Sequence, residues 1–147
     1  MRVCVSCVIA RPADVVFWLS QDYKRRLEWD PYLSEACLLG GHETAAVGVD
    51  SYCKNHRGSV LVSRYISFSP PTHAAVQMTK GPWVLSSFGG TWRFQPLPDS
   101  RTQVRFIYHF RTRPAFLRWL AEPLIAAIYR RDMQRRLDTF SQWAQTA

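Results

Sequence analysis

Four cysteines, four histidines and sixteen arginines hold most of the reactive chemistry of this 147-residue chain, and their spacing decides what they can do. Cys4 and Cys7 stand three apart, the spacing of a redox or zinc motif, but they fall in the run Val3 to Ile9. That run alternates β-branched residues, and on a strand residues three apart point to opposite faces. The pair is therefore expected to share neither a metal nor a relaxed disulfide. Reduced cysteines suit a cytoplasmic protein, the location expected here. His42, His56, His73 and His109 are scattered among turns and an outer strand face without HxxxH or HExxH spacing, so no metal and no cofactor is expected. No Gly-x-Ser-x-Gly, phosphate-loop or dinucleotide fingerprint is present.

Three charged features remain. Arg64 shares a strand face with Val60, Val62, Ile66 and Phe68. A guanidinium on such a face must be paired or reach water. It can bind an acidic oxygen of a ligand, pair with Asp50 or Glu35, or turn outward if the strand phase differs. Asp30, in Trp29-Asp30-Pro31, reads as a cap or turn residue, with general base as the sharper alternative. Arg130, Arg131, Arg135 and Arg136, joined by Arg111, Arg113 and Arg118, form a basic patch beside Phe116, Trp119 and Leu120. Such a mixture suits an anionic membrane surface or RNA as well as a solvated helix face.

The elements that must position these residues follow from periodicity. A strand over Val3 to Ile9 places Val3, Val5, Cys7 and Ile9 on one side. Pro12 opens a helix to about Ser20, with Asp14 at the positive end of its dipole. A second short helix, about Tyr23 to Glu28, stops before Pro31. Turn signals then recur at Gly40-Gly41, Asn55 to Gly58, Pro70-Pro71, Gly81-Pro82 and Pro96 to Ser100, at hairpin spacing. This predicts six strands in an antiparallel meander. In the last of them Val104, Phe106, Tyr108 and Phe110 face one way, and Arg105, His109 and Arg111 the other. Gly89-Gly90 predicts a bulge or bend. A long helix, roughly Pro123 to Ala144, ends the series. Its stripe is Ala126, Tyr129, Met133, Leu137, Phe140 and Ala144, with Arg130, Arg131, Gln134, Arg135, Asp138 and Gln142 on the wet side.

Composition agrees with a folded domain. Hydrophobic residues make up 47% and charged residues 20%, which excludes a disordered chain. One domain of this length buries roughly two-thirds of its unfolded surface. Aromatics reach 14%, more than a chain can leave exposed, so many rings must be buried or contact something. The net charge of +8 favours an anionic partner or simply solubility. The apolar run after Arg2 is too short for a membrane span.

The segments IARPADVVFWLSQDYKRRLEWDP and GGTWRFQPLPDSRTQVRFIYHFRTRP, followed by a long terminal helix, resemble the SRPBCC or START-like (birch-pollen-allergen-like) superfamily. The likeness is strongest to its branch of polyketide cyclases/dehydrases and lipid transport proteins. It rests on Pro12, Val16-Phe17, Asp22 and Trp29-Asp30 at the front, and on Gly90, Thr91-Trp92, Phe94, Pro96 and Thr102 at the back. These are markers of fold, not of catalysis. The resemblance implies an α+β helix-grip fold over residues 1–147, a single START-like ligand-binding domain. In that fold a curved seven-stranded antiparallel sheet surrounds a long C-terminal helix, with two short helices after strand 1. It also implies a cavity for a small hydrophobic molecule such as a lipid, quinone or polyketide.

The inward faces then nominate the lining: Val62, Met78, Trp92, Phe94, Phe106, Tyr108 and Phe110 from the sheet, and Tyr129, Met133 and Leu137 from the helix. Tyr108 and Arg64 are the expected polar groups. Binding for carriage or sensing is the first reading. A polyketide cyclase/dehydratase using the same cavity is the second, and a membrane- or ribosome/RNA-interacting module using the basic patch is the third. Oligomeric state is left open by the sequence.

Overall fold

The computed structural model describes residues 1–147. Strand β1 (Arg2–Ile9) leads into helix α1 (Ala13–Ser20), a 3-10 turn at Tyr23–Arg25 and the short helix α2 (Arg26–Trp29). Six strands follow: β2 (Leu33–Leu38), β3 (Asp50–Asn55), β4 (Val60–Ser69), β5 (His73–Lys80), β6 (Leu85–Leu97) and β7 (Arg101–Thr112). A 3-10 turn at Ala115–Leu117 then enters α3 (Arg118–Ala144). The sheet order is β1-β7-β6-β5-β4-β3-β2, antiparallel throughout, so the meander closes on β1 through a β1–β7 ladder. This is the helix-grip layout, with a curved seven-stranded sheet holding α3 against its concave face.

Local chemistry accounts for the ends of these elements. Asp22 accepts the Lys24 backbone N–H at 3.1 Å and starts the turn before α2. Arg11 donates to the carbonyls of Ala144 (3.1 Å) and Ala147 (2.6 Å), placing a cation where the dipole of α3 is negative. The helix begins five residues before the expected Pro123, which lies inside it. Two contacts carry the first turn back through the proline. Glu122 accepts the Thr112 N–H at 3.2 Å, and Arg118 Nε donates to the Thr112 carbonyl at 2.7 Å.

The core is aromatic and continuous. Trp29 packs on Phe140 at 4.8 Å between ring centroids, and Trp92 on Phe106 at 4.7 Å. Phe17, Phe68 and Phe94 close one end of the interior. The stripe of α3 is buried at Ala126, Met133, Leu137, Phe140 and Ala144, with Tyr129 half-buried. On β1, Val3, Val5 and Ile9 point inward with the half-buried Cys7, while Cys4 is exposed on the opposite face.

Two strand readings need correction. Gly89-Gly90 is not a bulge, because the β6–β7 register runs unbroken through Gly89↔His109 and Gly90↔Tyr108. The glycine serves another purpose: a Cβ on Gly90 would stand 2.8 Å from Phe106 Cζ, so the ring lies over bare backbone. In β4 the phase is the reverse of the expected one over its first half. Leu61, Ser63 and Tyr65 face the interior, while Arg64 and Ile66 are exposed on the outer face. An extra residue at Ile66, between the pairs Tyr65↔Val76 and Ser67↔Ala75, restores Phe68 to the inside.

Gly90→Ala is expected to displace the Phe106 ring and destabilise the fold by about 1–3 kcal/mol. A urea titration checks this; a midpoint equal to the parent's would show that Phe106 yields freely.

Candidate functional site

Toward β2–β5 the core does not fill the space under α3. A cavity of about 160 Å³ remains. Leu61, Val76, Phe88, Trp92, Phe106 and Tyr108 form its sheet wall, and Tyr129, Met133 and Arg136 face it from α3. Tyr23 enters from the 3-10 turn and Arg26 from α2, and Ser51, Cys53, Ser63 and Tyr65 from β3 and β4. Tyr32, which is exposed, and the half-buried Asp132 mark the side that meets solvent.

Of the residues nominated from sequence, Trp92, Phe106, Tyr108, Tyr129 and Met133 come together around this space. Phe94, Phe110 and Leu137 are buried in the packed core and do not line it. Met78 packs against the edge of the core, its sulfur near Gly81. Val62 and Arg64 are excluded by the phase of β4. Arg64 lies opposite Asp50 in the β3–β4 ladder and pairs with it outside the cavity, at 2.9 and 3.2 Å. Arg136 is a further correction. Sequence places it in one basic run with Arg130, Arg131 and Arg135, which are exposed, yet it sits one residue before Leu137 of the stripe and turns inward.

The polar end of the cavity joins residues that are distant in sequence. Asp30, with a fully buried side chain, lies between two guanidiniums. Arg26 Nε donates to its Oδ2 at 3.0 Å, and Arg136 donates from Nη2 at 2.7 Å and from Nε at 3.1 and 3.2 Å. The Tyr32 N–H adds a fourth donor at 3.0 Å. Burial by itself would raise the Asp30 carboxyl, but the charges of Arg136 and Arg26 outweigh it and hold the group down at about 2. Burial likewise disfavours both guanidinium charges, and Asp30 more than restores them. Arg26 is stacked between rings, 4.6 Å from the Trp29 centroid and 5.6 Å from that of Tyr23.

Beside this cluster runs a chain of hydroxyls. Tyr65 donates to Gln21 Oε1 at 2.6 Å and stands 3.2 Å from Tyr23 Oη, and Gln21 in turn donates to Ser20 Oγ at 2.8 Å. Burial raises Tyr23, Tyr65 and Tyr108, so these phenols stay protonated at neutral pH. Cys7 is pushed up to about 12, chiefly by burial, which leaves an inert thiol. One signal for the missed cluster lay in the sequence: Arg26 and Asp30 are four apart, one turn of a helix, just before a proline.

A sheet that grips one long helix over a lined cavity defines the START-like class of ligand-binding domains. Within that class, the chain belongs to the polyketide cyclase / dehydrase and lipid transport family, whose model matches residues 1–144. No curated protein sequence matches it. Solved structures of similar shape include an aromatase/cyclase from a Streptomyces species, 19% identical, with a TM-score of 0.81 over 99% of this chain and 93% of that one. A START superfamily protein of Mycobacterium smegmatis is 9% identical, with a TM-score of 0.81 over 98% and 97% of the two chains. Norcoclaurine synthase from Thalictrum flavum is 16% identical, with a TM-score of 0.74 over 98% and 93%. No helix is long and apolar enough to cross a membrane.

The depressed carboxyl has a consequence for stability. Asp30 contributes fully above its ordinary value of 3.8, and the contribution is lost as pH falls through about 2. The parent is expected to lose roughly 2 kcal/mol of stability across that window. Asp30→Asn is expected to flatten the window and to cost about 3–5 kcal/mol at pH 7, because two buried guanidiniums lose their partner. Chemical denaturation from pH 7 to pH 2 reads both effects; an unchanged acid limb would assign that dependence to other carboxylates.

Proposed function

We propose that this protein binds a small hydrophobic molecule between the sheet and α3 and holds it for carriage or sensing. The observation that carries the reading is a space of about 160 Å³, open to solvent on one side, left in an interior otherwise packed with rings. Filling such a space removes apolar surface from water, at about 25 cal/mol per Å² before ordering costs. Engineered apolar cavities of about this volume take one aromatic ring. The ligand therefore places a ring-sized portion inside, and any longer part runs toward Tyr32 and Asp132. The family's association with polyketides and lipids, and the likeness to an aromatase/cyclase, support this class of ligand.

Catalysis of the polyketide cyclase type would use the same cavity and needs a base within reach of the substrate. The wall offers phenols kept protonated by burial, together with guanidiniums. The ionised Asp30 behind the wall is spent on Arg26 and Arg136. A wall rich in acids and cations but short of a free base favours binding over proton abstraction.

A specific surface supports a second reading, docking to an anionic bilayer. Phe116, Trp119 and Trp83 are 75%, 76% and 69% exposed, and Leu120 and Leu124 continue the apolar stripe at four-residue spacing. Arg113 stands 5.9 Å from the Trp83 ring and donates its N–H to the Val84 carbonyl, joining the β5–β6 loop to the segment before α3. Exposed rings beside arginines match the interface of a negatively charged membrane. Pro82, from the same loop, and Leu85, at the start of β6, line the cavity, so the patch borders the binding space.

Each reading has its measurement. N-phenyl-1-naphthylamine is expected to bind the protein with a blue-shifted emission. Val76→Phe, which puts a ring into the cavity, is expected to weaken that binding at least tenfold while circular dichroism stays the same. Equal binding by the two proteins would place the probe elsewhere and overturn the cavity reading. For the surface, co-sedimentation with vesicles containing phosphatidylglycerol is expected to exceed that with neutral vesicles and to fall several-fold in Trp119→Ala. Equal sedimentation with both vesicle types, or binding to RNA alone, would remove the bilayer reading.

A further inference from the structure

The polar end of the cavity carries one positive charge too many. Arg26 and Arg136 face a single carboxylate, that of Asp30, which leaves the cluster at +1. Asp30 engages Nε of Arg26 and Nε and Nη2 of Arg136. No protein acceptor meets Nη1 or Nη2 of Arg26, or Nη1 of Arg136, although both residues line the cavity and their side chains are only 9% and 15% exposed. These nitrogens are not sealed within the protein, so a group held in the cavity can reach them. The rings of Trp29 and Tyr23 hold Arg26, and Tyr32 lies 4.8 Å from the Arg136 guanidinium, so neither fork is free to swing away.

No other group in the wall cancels the surplus. Asp132 is half-exposed at the solvent side and pairs with Arg131 at 3.9 Å. Cys53 is pushed up by burial and stays a neutral thiol. The phenols are neutral as well.

We propose that the cavity is built for a compact monocarboxylate, its carboxylate on the free nitrogens of Arg26 and Arg136 and its ring or short chain against Trp92, Phe106 and Met133. The assignment rests on the cavity-binding reading above and names the class of molecule that reading leaves open. A planar carboxylate matches the planar two-nitrogen edge of a guanidinium, and in a wall of low dielectric the pairing is stronger than in water. Asp30 is then a positioning residue: it touches no ligand but fixes the angle between the two forks.

The test compares 3-phenylpropanoate with 3-phenylpropanamide, equal in shape and different in charge, by titration calorimetry at pH 7 on the full chain. The acid is expected to bind at least tenfold more tightly than the amide. Arg26→Met leaves Asp30 paired with Arg136 and is expected to abolish that preference by weakening the acid. Arg26→Lys, which keeps the charge and loses the fork, is expected to retain only part of it. If Arg26→Met does not fold, the parent's two constants and the lysine variant still decide. Equal constants for acid and amide would overturn the carboxylate assignment and leave the apolar reading standing. Binding of neither compound would overturn both.

Discussion

A single helix cannot cover a seven-stranded sheet, and the rest of this molecule follows from that mismatch. The stripe of α3 buries Ala126, Met133, Leu137, Phe140 and Ala144 along the side of the sheet where β1 and β7 lie. Large rings fill what remains near Phe17 and Phe94, where α1 also contributes. Toward β3 and β4 the sheet is covered only by side chains reaching in from Tyr23, Arg26 and the flank of α3, and inward residues shrink and become polar at Ser51, Cys53 and Ser63. Close packing at one end and open space at the other are two outcomes of one shortage of covering surface.

The architecture was legible because its periodicities are long and its punctuation is strong. Val104 to Phe110 alternates with one exception, Ile107, and the spacing of Ala126 to Ala144 admits only one helical face. Where both phases of a strand carry apolar residues, alternation cannot choose. In β4, Val62 and Ile66 compete with Leu61 and Tyr65, and Ser63, which reads as outward, is buried. The added residue at Ile66 changes phase halfway along, and no residue type announces it. Arg64 was drawn into the cavity by that ambiguity, when Asp50 directly across the ladder was its partner.

The candidate site was legible on its apolar side and hidden on its polar side. Trp92, Phe106, Tyr108, Tyr129 and Met133 are large residues on well-phased elements. Arg26, Asp30 and Arg136 belong to a four-residue helix and to the flank of a stripe, and what joins them is a contact across 106 positions of sequence. An arginine run reads as a wet face because most such residues are solvated. One member departs from the run because Asp30 offers it a buried charge, and only three-dimensional proximity reveals that. The glycine at 90 shows the same limit: its type flagged a special place, but the reason was the ring of Phe106 from the neighbouring strand.

The Asp30–Arg136 pair also gives the cavity a history. One partner precedes the meander and the other follows it, so a nascent chain has no site until Arg136 has been made. A ligand in the cavity would meet groups from both sides of the meander and so stabilise the seating of α3, by about 2.7 kcal/mol at a ligand concentration a hundred times its dissociation constant. Release of the helix and release of such a ligand would become one event, and resistance to proteolysis in α3 would become a gauge of whether the cavity is loaded.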